Sequence, residues 1–218
     1  MNSSLKMDTE EKKSSLLNIN PWLACLTSLV IYLLVVVAKH QFLISNDKLF
    51  SEFTGNDFEE YMSATNKFRM LKYFFLSLLF LGGILLTFLL ISATNFLYKT
   101  DLSVKELFVI AVLSSSAEII SEAFTIFWFA ASETFHSSEV FNFYPLSLFS
   151  LSNNIEDIAF PVSYILQSLN LFLAFKIFLI CYAYYSSTEK SLGESFITAL
   201  TTYVIPMSVF YLLLYYFF

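Results

Sequence analysis

Five stretches of this chain are almost unbroken in apolar residues, and polar segments separate them. Trp22 to Ala38 is the first, entered at Pro21 and closed by Lys39 and His40. Pro suits a first helical turn and Trp suits a membrane–water boundary, so the pattern predicts a span over about 22–39. No small-x-small cleavage site follows the run, which argues against a signal peptide. Further spans are predicted over about 72–97, 106–131, 161–184 and 195–217. Each meets the roughly 20 apolar residues that a helix needs to cross a hydrocarbon layer of about 30 Å, the first being the shortest.

The intervening segments have their own signatures. Residues 1–20 are polar and of mixed charge, and read as a flexible tail, with 21–218 as a single transmembrane domain. In the 41–70 stretch, Gly55 and Asn56 punctuate the chain before Asp57, Glu59 and Glu60, the acids that favour a helix start. An interfacial helix leading into the second span or a plain loop fits there. A short turn at 98–105, a long Ser-, Asn- and Phe-rich loop at 132–160 and a polar turn at 186–194 join the later spans. The predicted fold is therefore all-α: a polytopic transmembrane helical bundle of about five spans.

Composition supports the lipid environment. Hydrophobic residues make up 57% of the 218 positions and charged residues 14%, with a mean hydropathy of +0.67. One soluble core of this size cannot hide that much apolar surface. The net charge of -6 excludes nucleic acid as an expected partner, leaving the lipid bilayer and unidentified membrane proteins. Cys25 and Cys181 both fall in apolar runs and read as buried thiols, not as a disulfide. The 132–160 loop lacks Lys and Arg, whereas Lys6, Lys12, Lys13, Lys99, Lys105 and Lys190 would share the other side. This bias predicts the N-terminus inside and the C-terminus outside. The Asn2-Ser3-Ser4 sequon then lies on the inner side and has no expected role.

The third span carries the candidate chemistry. Ser114, Ser115, Glu118, Glu122 and Thr125 fall within one narrow helical sector, with Ala111. Val109, Val112, Leu113, Ile120, Phe124 and Phe127 lie opposite and are expected to face lipid. Two carboxylates one turn apart cannot both stay ionised cheaply in a low dielectric, so at least one is expected to carry a proton. A structural role, with protonated side chains bonding to a neighbouring helix, and a proton, cation or ligand role both fit this pattern. For antiparallel third and fourth spans, the ~1.5 Å rise per residue sets Asn170 and Gln167 near the depth of Glu122, and Lys176 near Glu118. Lys176 points away from Asn170 around its helix, and is expected to reach toward the headgroups in preference to pairing with Glu118. Gly82-Gly83 is read as permitting close helix packing. Pro206 is expected to kink the fifth span, with Thr201 or Thr202 satisfying the carbonyl it frees.

No His, Cys or carboxylate set has metal-ligand spacing, and neither a nucleophile elbow nor a phosphate-binding Gly-rich loop is present. No metal, no cofactor and no enzymatic activity are expected. The paired glutamates lack the intramembrane Arg and His residues that prenyl-endopeptidase-type proteases set beside theirs.

From about Phe75 onward the layout resembles the Yip1 family of five-span membrane proteins. The features that carry the resemblance are the Gly82-Gly83 span and the Ser103-Val-Lys-Glu106 turn. The Ser114-to-Ser116 run, the long outer loop, the Leu169-Asn-Leu-Phe172 segment and the Ser191-Leu-Gly-Glu194-Ser195 turn complete it. The resemblance implies a non-enzymatic role in interaction or membrane organisation. Eukaryotic members act in Golgi and endoplasmic-reticulum trafficking and bind prenylated Rab GTPases. Their Asp-Leu-Tyr-Gly-Pro segment is absent here, so Rab binding is not carried over. The compact form resembles the bacterial branch, which implies a bacterial cytoplasmic membrane in preference to a eukaryotic endomembrane. A second reading from the residues themselves is a small transporter or permease subunit using Glu118 and Glu122.

Overall fold

The computed structural model describes residues 19–44, 56–132, 143–151, 160–188 and 190–217. The tail at 1–18, most of the 132–160 loop and part of the 41–70 segment lie outside the described residues. The architecture is all-α, built from α1 (Pro21–Ile44), α2 (Asn56–Tyr98), α3 (Val104–Ser114) and α4 (Ser116–Ala131), followed by α5 (Phe160–Ser168), α6 (Leu171–Ser187) and α7 (Leu192–Phe217). Three helical stretches are long and apolar enough to cross a membrane: Pro21–Leu43, Lys67–Tyr98 and the α3–α4 unit Val104–Ala131. The chain is thus a membrane protein with several spans. Helix α2 is longer than the apolar run it contains, beginning at Asn56.

Two of the expected spans are broken, each for a local chemical reason. In the third, the hydroxyls of Ser114, Ser115 and Ser116 donate to the carbonyls of Ala111, Val112 and Leu113 at 2.9, 2.6 and 2.8 Å. The Ser115 amide is shared between the carbonyls of Ala111 and Val112, at 3.3 and 3.2 Å. Such competition for helix carbonyls tightens the turn and divides α3 from α4. In the fourth, Asn170 adopts an extended backbone, and its side chain accepts from the Leu173 amide at 2.9 Å to cap α6. The amides of Leu148 and Leu171 donate to the carbonyls of Leu169 and Leu146, at 3.0 and 3.2 Å. The loop before α5 therefore binds the break between α5 and α6.

Elsewhere the turns follow their sequence signals. Asn95 binds the turn after α2, accepting from Thr100 and, at 3.3 Å, from the Leu102 amide. Ser103 and Glu106 then form a reciprocal cap on α3. Ser191 and Glu194 do the same for α7, the Ser191 amide and hydroxyl both donating to the carboxylate at 2.8 Å. Those bonds, the amide first, hold Glu194 below the usual carboxylate range.

Helices α1, α2, α3, α6 and α7 meet in one core around Tyr32, Phe80, Ile91, Ala111, Val112, Ile180, Tyr184 and Ala199. Tyr32 stacks on Phe80 with ring centroids 4.2 Å apart. The seam between α2 and α7 is polar: Thr202 donates to Thr94 at 3.1 Å, and Thr87 bonds Tyr203 at 2.8 Å. Helix α7 runs through Pro206. The hydroxyls of Thr201 and Thr202 both turn to the Thr198 carbonyl, at 2.9 and 2.8 Å, so neither serves the carbonyl of Thr202 that Pro206 leaves without a backbone donor.

The faces of the third span differ from the expectation. Leu113, Ile120 and Phe127 are exposed, as lipid-facing residues should be, but Val109 and Val112 are buried. Helix α3 is covered by α1, α2 and α6, whereas α4 meets α1 and α6. Packing on three sides therefore buries Val109 and Val112, although a 100° count sets them with the exposed residues.

Candidate functional site: two intramembrane ion pairs

A carboxylate inside a membrane needs a compensating charge or donor close by, because hydrocarbon offers neither. Each glutamate of α4 obtains one from a different helix. Glu118 Oε1 accepts from Lys176 Nζ of α6 at 2.6 Å, and Glu122 Oε2 accepts from Lys39 Nζ of α1 at 2.8 Å. From one side of α4, the two pairs tie it to both neighbours.

The inner of the two is the more enclosed. Lys176 is buried at 8% exposure, while the Glu118 side chain keeps 38%. The ammonium also lies over the Tyr203 ring of α7, 5.5 Å from its centroid, and that phenol bonds Thr87 of α2. Four helices thus contribute to one connected set: Glu118, Lys176, Tyr203 and Thr87. Gly83 of α2 closes its floor. A Cβ at Gly83 would meet Glu118 Oε2 at 3.7 Å and Oε1 at 3.9 Å, whereas one at Gly82 would meet nothing within 4 Å. The close approach read from the Gly-Gly pair belongs to Gly83 alone, and it makes room for a carboxylate.

In the outer pair the lysine is more open, with side-chain exposures of 27% for Lys39 and 31% for Glu122. Surface-like exposure of this order screens the attraction, so it contributes less than its length suggests.

The sequence-derived site is thereby rearranged. Glu118 and Lys176 are joined, so Lys176 does not reach away to the headgroups: α6 begins only at Leu171, after the break, and its second turn sits beside α4. Neither Asn170 nor Gln167 partners Glu122. Asn170 caps α6, and its amide donates to the Gln167 carbonyl at 3.3 Å. Ser114 and Ser115 are buried but spend their hydroxyls on their own helix. Glu118 and Glu122 each bond an ammonium from another helix. Lys39, Tyr203 and Thr87 were not singled out from the sequence. Lys39 had a usable signal, since it closes the first span at the level that Glu122 reaches on the third.

Two large cavities lie elsewhere. One of about 400 Å³ is lined by Ile120 and by Leu171, Phe172, Ala174, Phe175 and Phe178 of α6. The other, about 320 Å³, lies between α2 and α7 against Leu90, Thr94, Leu97, Thr201 and Pro206. Both are apolar, and neither is lined by Glu118 or Glu122. Among the described residues, no group of three or more His, Cys, Asp or Glu side chains is placed to hold a metal ion. No protein-family model, curated protein or solved structure matches the chain.

Proposed function

We propose that this is a non-enzymatic, Yip1-like membrane protein of five spans, with its N-terminus inside, that organises or binds other components of a bacterial cytoplasmic membrane. The observation that carries the reading is the pairing of each intramembrane carboxylate with a lysine from another helix. A carrier needs a carboxylate that can exchange its counter-ion, and a site open to solvent on at least one side. Here the ammonium of Lys176 occupies that place for Glu118, enclosed by Tyr203 and Gly83. The pairs then serve to fix α1, α4 and α6 relative to one another, so that the exposed apolar residues of α4, Ile120 and Phe127 among them, form a stable face toward lipid and membrane partners.

The test is a flux measurement on the full chain in sealed liposomes carrying an internal pH indicator, with an imposed membrane potential. Proton and alkali-cation leak should match that of protein-free liposomes. A protein-dependent flux that Glu118→Gln abolishes, with the variant still folded, would replace this reading with the transporter.

A further inference from the structure

We propose that the end of the bundle where α1 meets the start of the apolar part of α2 holds the phosphate of an anionic phospholipid, bound by Arg69, Lys72, His40 and Tyr73.

Four cationic or donor side chains converge there, and their demands are unequal. Lys39 is taken by Glu122. On α2, Arg69 and Tyr73 are one turn apart with Lys72 next to Tyr73, and the Tyr73 ring meets His40 of α1. Neither Arg69 nor Lys72 forms an ion pair among the described residues. The acids at Asp57, Glu59 and Glu60 of the same helix are at least nine residues before Arg69, or about 13 Å along its axis.

Neutral donors point to the same need. His40 is only 9% exposed, yet its Nε2 has no hydrogen-bond partner among the described residues; the buried Tyr73 hydroxyl has none either. Their rings meet edge to face, with centroids 5.9 Å apart. Buried polar atoms left without partners are rare because each costs about 1–3 kcal/mol. Two side by side, next to two unpaired cations, mark a place for an acceptor with several oxygens. A phosphodiester is that acceptor, since it can take bonds from Arg, Lys, His and Tyr at once.

Depth selects the source. The apolar run of α1 is closed by Lys39 and His40 and that of α2 opens just after Lys72, so the cluster lies at the boundary where lipid phosphates sit. On the side of α2 that continues from Lys72 into the apolar run, Phe75 and Leu79 are exposed at 54% and 70%. This is the surface along which the acyl chains of the same lipid would run. A free phosphate would use the donors but not this apolar surface.

The full chain, purified in a mild detergent, is titrated with phosphatidylglycerol, phosphatidylcholine or inorganic phosphate and read by native mass spectrometry and thermal unfolding. Phosphatidylglycerol should be retained and stabilise the protein, while phosphatidylcholine and inorganic phosphate should do neither. Arg69→Gln with Lys72→Gln should weaken phosphatidylglycerol binding on the order of thirtyfold, as expected for two cations near an anionic surface. Lys67→Gln, whose exposed ammonium lies over Phe68, should leave binding unchanged. Equal retention of the two lipids, or undiminished binding by the double variant, overturns the site. Displacement of the lipid by inorganic phosphate would make phosphate the ligand and overturn the lipid assignment. Should the double variant fail to accumulate, the comparison of the two lipids on the wild-type chain decides alone.

Discussion

Glu118→Gln is expected to destabilise the bundle by on the order of 3 kcal/mol, because it strands the Lys176 ammonium in an enclosed place. Lys176→Met should cost less, about 1–2 kcal/mol. The carboxylate it leaves behind keeps 38% of its surface accessible, and Met fills most of the Lys volume. The double variant should lie within about 1 kcal/mol of wild type, since removing both charges removes the desolvation penalty along with the attraction. Unfolding by titration of a denaturing detergent into mild micelles gives all four corners of the cycle. Strict additivity of the single losses would mean that the pair is not formed in the folded protein.

The second large effect belongs to Tyr203. Its phenol bonds Thr87, a residue only 3% exposed, and its ring underlies the Lys176 ammonium. Tyr203→Phe keeps the ring and strands the threonine hydroxyl, for a loss of about 1 kcal/mol in a membrane bundle. Tyr203→Ala removes the ring as well, leaves a void between α2, α6 and α7, and should cost about 3 kcal/mol. The same unfolding titration separates the two contributions. Equal losses for Phe and Ala would show that the ring neither packs in the core nor supports Lys176.

The helical, membrane-embedded character was legible because a run such as Trp22–Ala38 has no other stable environment than lipid. What was not legible were the interruptions. Ser114 to Ser116 fit a polar helical stripe as well as they fit a chain break, and only the direction of their hydroxyls distinguishes the two. Asn170 was read as a polar group for another helix, although Asn is also among the best N-cap residues; the cap was the competing local use of the same side chain.

The site shows the same division. The periodicity that grouped Glu118 with Glu122 held within α4, and both carboxylates do meet other helices. Their partners were harder to find, because a lysine that flanks a span looks the same whether it reaches headgroups or turns inward. Depth counting brought Lys176 to Glu118, but a rotational argument along an unbroken fourth span set it aside. The break at Leu169–Asn170 removes the premise of that argument. Tyr203 and Thr87 could not be singled out, since nothing local in a helix distinguishes a buried hydroxyl pair from two isolated polar residues.

The central claim is that Glu118 is held by Lys176 and is not free to carry a proton or cation. Solid-state nuclear magnetic resonance of the full chain in lipid bilayers tests it through the dipolar contact between lysine ¹⁵Nζ and glutamate ¹³Cδ. A short contact is predicted that vanishes in Lys176→Met. A Glu118 carboxyl with no lysine nitrogen near it in the wild-type chain would contradict the account.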